Sequence, residues 1–119
     1  MLFIALFHNN QGGKAMPYIK ISGVPKEELI KMSKDLIDIV EKEIGVDREK
    51  IRLFYSPDIE LRDGYEVKEK VIVNVDWMPR PQELCDKMAE LYREYFFKAG
   101  YKGLKMYFTE FVKEKYYLF

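Results

Sequence analysis

The sequence predicts an α+β fold: a tandem β-α-β repeat, with two helices packed on one face of a four-stranded mixed sheet and a small hairpin beside it. Three observations predict it. Apolar residues alternate at period two in four main stretches and recur at helical spacing in two, in the order β-α-β, hairpin, β-α-β. The two β-α-β stretches align with each other: Glu28-Leu29, Leu36 and Gly45 correspond to Glu83-Leu84, Leu91 and Gly100 at a constant offset. Glycine or proline stands at the junctions, at Gly23, Pro25, Gly45, Pro57, Pro79, Pro81 and Gly100. Right-handed crossovers then put both helices on the same face of the sheet.

Each element has its own local reason. In Tyr18–Ser22, Ile19 and Ile21 alternate with Tyr18, Lys20 and Ser22, which predicts a half-buried strand. Pro25 suits the first turn of the helix that follows, and Glu27 and Glu28 favour its dipole. Leu29, Met32, Leu36, Ile39 or Val40, and Ile44 form the apolar stripe, and Gly45 supplies the C-cap. Ile51, Leu53 and Tyr55 alternate with Arg52, Phe54 and Ser56 in a second strand. Asp63-Gly64, flanked by Ile59-Glu60-Leu61 and Tyr65-Glu66-Val67, predicts the hairpin. Val71, Val73, Val75 and Trp77 mark a third strand. Leu84, Met88, Leu91 and Tyr95 mark one face of the second helix, with Cys85, Tyr92 and Phe96 beside it. Leu104, Met106 and Phe108 mark the fourth strand, before an aromatic and basic tail ending YYLF.

Composition narrows the function classes. The chain has 119 residues, 48% of them apolar, which is one globular domain's worth of core. Lys and Arg number 20 and Asp and Glu number 20, so the net charge is zero. Nucleic-acid binding normally needs a basic excess, and no nucleic-acid partner is expected. The Lys/Glu-rich charge fits a thermophile. A single cysteine, Cys85, allows no intramolecular disulfide, so a cytoplasmic location is expected and Cys85 reads as a small buried hydrophobe. The only histidine is His8, so no metal cluster is expected.

Residues 1–15 stand apart. MLFIALF is too short for a membrane span, which takes about 20 apolar residues, and it lacks the basic region of an export signal. Gly12-Gly13 can be encoded by a purine-rich ribosome-binding sequence, with Lys14-Ala15 as spacer before Met16. The expectation is that 1–15 is an upstream region translated from a misplaced start, and that 16–119 is the single domain. Removal of Met16 would leave Pro17 as the amino terminus. The alternative is a genuine leader, such as an extra strand.

Both the ferredoxin-like fold and the tautomerase fold have the order βαββαβ. The Met-Pro start favours the second. With MPYIKISGV opening the domain, VIVNVDWMPRPQE entering the second helix and YYL near the end, residues 16–119 resemble the tautomerase superfamily. That superfamily includes oxalocrotonate tautomerase and macrophage migration inhibitory factor, and the likeness is to a little-characterised bacterial branch. The resemblance implies a homotrimer joined through the uncovered sheet faces, no cofactor, no metal, and Pro17 as an amino-terminal catalytic base for keto–enol tautomerisation of a small carbonyl acid.

The chemistry explains the residue. A free amino terminus titrates near pH 8, roughly, and burial or nearby cations lower that value toward neutrality, where a general base works best. An internal Pro17 has only an amide nitrogen and cannot serve. Enolate charge calls for a cation. Arg80 matches a substrate-binding arginine of some superfamily members, and Lys20 lies close to Pro17 along the first strand; the alternatives are a surface residue at the helix start for Arg80 and a solvated strand residue for Lys20. Trp77 stands where the dehalogenases carry a second arginine, and Val24 where oxalocrotonate tautomerase has one, so neither dehalogenation nor that mode of dicarboxylate binding is expected. Trp77 reads instead as a core or interface residue, and Tyr116 and Tyr117 as packing residues. The alternative function is a non-catalytic module, of tautomerase or ferredoxin-like fold, that binds a small molecule or a protein.

Overall fold

A computed structural model describes residues 16–68 and 70–119. The expected leader, 1–15, lies outside the described residues. From Met16 onward the chain runs β1 (Tyr18–Ser22), α1 (Lys26–Ile39), β2 (Arg52–Tyr55), β3 (Leu61–Arg62), β4 (Tyr65–Glu66), β5 (Lys70–Trp77), α2 (Gln82–Lys98) and β6 (Gly103–Glu110). The main sheet has the order β2-β1-β5-β6, and β3-β4 form a separate hairpin. β1 pairs with β2 in parallel, β5 with β6 in parallel, and β1 with β5 antiparallel. This is the expected mixed sheet of two β-α-β units joined back to back.

The helix-covered face holds the core. Ile19, Ile21, Val71, Val73, Val75 and Trp77 are all fully buried there, against Leu29, Leu36, Val40, Met88, Tyr92 and Phe96. Burial at about 1.5–3 kcal/mol for each large side chain is the main term holding this layer together. The other face carries Lys20, Phe54, Asn74 and Tyr107 in one cross-strand row. Nothing among the described residues covers that row: Phe54 is 44% and Tyr107 54% exposed.

The register is held tightly at one junction. Gly23 has φ +87°, and a Cβ there would meet the Lys70 carbonyl oxygen at 2.0 Å. Only glycine allows this strand end to pass so close to the start of β5.

Two details differ from the periodicity. α1 continues as a wider π turn over Val40–Ile44, closed by Gly45 at φ 84°. At the change of pitch the Val40 N–H bonds to the Ile37 carbonyl, and the Tyr92 hydroxyl donates to the Leu36 carbonyl at 2.9 Å. That bond helps explain the second difference. The buried stripe of α2 is Cys85, Met88, Tyr92 and Phe96, with Leu84, Leu91 and Tyr95 only half-buried. Tyr92 satisfies a buried carbonyl, so the helix is turned toward it and away from the leucines.

Candidate active site

Met16 and Pro17 lead directly into β1, and both are buried. Alternation with Ile19 and Ile21 assigns Pro17 to the helix-covered face. Because β1 and β5 are antiparallel, with Tyr18 opposite Asp76, the start of β1 lies beside the end of β5. The crossover Met78-Pro79-Arg80-Pro81 therefore begins next to Met16.

Arg80 exploits that nearness. Its Nη2 donates to the Met16 carbonyl at 3.2 Å and its Nη1 to the Met78 carbonyl at 3.4 Å. The guanidinium lies 4.6 Å from the centre of the Trp77 ring, a cation–π distance. Trp77 is fully buried and stacks on Phe108 at 5.0 Å, so among its expected places it takes the core. Arg80 has no carboxylate partner among the described residues, whereas Arg48 and Arg93 are paired with acids. Burial lowers the Arg80 pKa from its ordinary value, but a guanidinium remains charged near neutral pH. The Met16 carbonyl is the acyl group on the Pro17 nitrogen, so the arginine stands beside the atom the sequence singles out.

Lys20 is held elsewhere. It lies on the uncovered face, where its ammonium pairs with Asp76 at 3.3 Å. Asp76 also accepts from Asn74 at 3.0 Å, and Thr109 donates to Asn74 at 3.3 Å. The structure thus brings Arg80 to Pro17 and places Lys20 on the opposite side of the same strand. The tail packs at that side: Phe111 meets Tyr18 edge-on at 6.3 Å and stacks with Tyr116 at 5.9 Å. Tyr117 is 64% exposed. Cys85 is buried, and burial pushes its thiol pKa up, as suits the expected packing role.

A cleft of about 620 Å³ adjoins Arg80, with Lys50 and Asp47 on its opposite wall. Sequence reasoning passed over Lys50, which ends the short 3₁₀ turn before β2. No spacing rule links it to Arg80, thirty positions on; only the parallel pairing of β2 with β1 brings them to one edge. Another cleft, about 540 Å³, lies under the hairpin at the Ser22 end of β1, away from Pro17.

Comparison with known proteins places this geometry in a family. Residues 16–118 match the family described as a domain of unknown function, DUF1904. The chain belongs to the DUF1904 family. A DUF1904 structure from Sebaldella termitidis is 26% identical, with a TM-score of 0.79 over 87% of this chain and 95% of that one. A protein of unknown function from Vibrio cholerae is 19% identical, with a TM-score of 0.75 over 89% and 86%. A macrophage migration inhibitory factor-like protein from Entamoeba histolytica is 12% identical, with a TM-score of 0.68 over 86% and 94%. No curated protein sequence matches the chain. The fold of this DUF1904 chain is therefore tautomerase-like, as the Met-Pro start and the repeat imply. No helix among the described residues is long and apolar enough to cross a membrane.

Proposed function

We propose that this DUF1904 chain is a cofactor-independent tautomerase acting on a small carbonyl acid, with Pro17 as its amino-terminal base. The observation that carries the reading is the 3.2 Å contact between Arg80 and the Met16 carbonyl. Removal of Met16 would convert the Pro17 nitrogen from an amide to a secondary amine and free the guanidinium beside it. The family match begins at residue 16, so the matched region opens on Met16-Pro17.

The chemistry follows from those two groups. The amine takes a proton from the carbon next to the substrate carbonyl. The C–H electron pair becomes the enolate double bond, and charge gathers on oxygen. Arg80 donates to that oxygen as the charge develops. The ammonium then returns the proton to oxygen, completing the enol. The same cation disfavours protonation of the amine and lowers its pKa toward neutrality. Lys20, paired with Asp76, would serve the uncovered face rather than this step.

The protein would work as a cytoplasmic homotrimer, its uncovered sheet faces meeting in the middle. The exposed Phe54 and Tyr107 support that assembly; sedimentation should give three times the chain mass, and a monomer would refute it. The activity is tested by the intact mass and amino-terminal sequence of protein made from its own gene with its own upstream DNA, followed by assay with enolisable keto acids such as phenylpyruvate. A chain starting at Pro17 should turn them over, and one extra residue before Pro17 should abolish it. A native chain starting at Met1 would sink the mechanism and leave a binding module.

A further inference from the structure

The cleft under the hairpin lies at the Ser22 end of β1, the far end of that strand from Pro17, and no step of the proposed reaction uses it. Its space is about 540 Å³, within the range of small-molecule sites, about 300–1,000 Å³. The turn after β1 and the loop after β2 wall it, together with Val67 and Tyr101. The Val67 N–H donates to the Glu60 carbonyl at 2.8 Å, which ties the hairpin to the loop beneath it.

Two polar side chains lining this cleft have unmet hydrogen-bonding capacity. Ser22 is only 8% exposed, and its hydroxyl has no hydrogen-bond partner among the described residues. Glu60 has one carboxylate oxygen, Oε1, shut off from water and likewise without a partner among the described residues. Glu28 is not in the same position, because the Tyr101 hydroxyl donates to it at 3.0 Å. A shielded carboxylate oxygen without a donor is costly, and a ligand that brings the donor removes the cost. Lys68 and Lys70 also line the cleft, but both are exposed, where water solvates and screens an ammonium. The dry part of the cleft is therefore negative. Among the described residues no three His, Cys, Asp or Glu side chains gather closely enough to hold a metal ion. The cation that fits is an organic one. Ile59, 60% exposed, and the half-buried Val67 offer apolar surface for its carbon chain.

We infer that the cleft under the hairpin binds a small linear aliphatic amine, its ammonium paired with the Glu60 carboxylate, Ser22 making a second polar contact, and its chain lying along Ile59 and Val67. This site is separate from Pro17 and does not depend on the tautomerase reading.

Butylammonium is titrated into the isotope-labelled full chain at constant ionic strength and followed by amide NMR, alongside 1-butanol as a neutral counterpart of equal length. The amine should bind about tenfold tighter than the alcohol, since its bond to Glu60 is charge-assisted. The shifted amides should centre on Ser22, Ser56 and Val67. Glu60→Gln should weaken the amine about tenfold and leave the alcohol unchanged, and Ser22→Ala should weaken the amine about threefold. Asp58→Asn, which removes an exposed carboxylate of the same cleft, should change the affinity by less than about twofold. Without ligand, Glu60→Gln should raise the denaturant midpoint, because it removes a shielded charge that has no partner. Equal affinity for amine and alcohol, no binding of either, or an amine affinity untouched by either Glu60→Gln or Ser22→Ala would overturn the site. So would a loss in Asp58→Asn as large as in Glu60→Gln, which would mean diffuse attraction to surface acids. A midpoint lowered by Glu60→Gln would show that the carboxylate is already satisfied within the protein, and would overturn it as well.

Discussion

The two crossovers of the repeat occupy equivalent places and do different things. After β1 the chain turns through Gly23-Val24-Pro25, and after β5 through Met78-Pro79-Arg80-Pro81. Because β1 and β5 are antiparallel, each crossover begins beside the start of the other strand. At the first, the backbone of Gly23 presses against the Lys70 carbonyl so closely that no side chain fits. At the second, Arg80 reaches the Met16 carbonyl with a long charged side chain. The two units share a scaffold, but of the two crossovers only the second carries an arginine. A junction closed by backbone packing carries stability, and one closed by a removable side-chain contact can carry function.

That contrast can be broken from either end. The largest effect is expected at Gly23: Gly23→Ala combines positive φ with a backbone clash and should cost about 3 kcal/mol, read as a fall in the denaturant midpoint. A loss below about 0.5 kcal/mol, the scale of ordinary surface changes, would mean that the junction is not closed as described. Arg80→Ala should leave stability within about 1 kcal/mol, because its bonds are to carbonyls at a half-exposed site. In the Pro17-start chain it should slow turnover about 10²-fold, as loss of one charge-stabilising donor does. It should also move the acidic limb of the pH–rate profile to higher pH, since removing a cation raises the amine pKa. An unmoved limb would separate Arg80 from the base.

The smallest effect compares tyrosines at the two ends. Tyr101, half-buried and donating to Glu28 at 3.0 Å near the first crossover, has its phenol pushed up to about 12 by desolvation and that carboxylate. Tyr116, near Pro17, is raised to about 12 by its hydrogen bond with Tyr18 and by desolvation. Each phenol holds its proton more tightly folded than unfolded, where it titrates near pH 10, roughly. Their contribution is intact below pH 10 and is lost as pH rises toward 12. Ultraviolet absorbance should show these phenols ionising late and together with alkaline unfolding. Ionisation near pH 10, roughly, in the folded chain would contradict both contacts.

Particular residues show how much could be read in advance. Ile19 and Ile21 identify β1 and its buried face because period two has only two faces to choose between. Asp63-Gly64 identifies the hairpin because a tight turn needs positive φ, found here at 49° and 92°. The stripe on α2 was legible only as a broad arc. Leu84, Leu91 and Tyr95 compete there with Cys85, Tyr92 and Phe96, and the bond from Tyr92 to a carbonyl on the other helix settles it. Of the candidate residues, Pro17 and Arg80 converge, while Lys20 is close in sequence but across the sheet. Lys50 carried no sequence signal at all.

By itself, then, the sequence determined the order of the elements, the repeat, the buried faces of the strands and the residues worth watching, because those depend on local periodicity and on single-residue backbone limits. Only the tertiary structure decided which of them meet. The antiparallel pairing of β1 with β5 brings Arg80 to Met16, and the parallel pairing of β2 with β1 brings Lys50 to the same edge. Such meetings depend on strand pairings between distant segments, which no local spacing encodes.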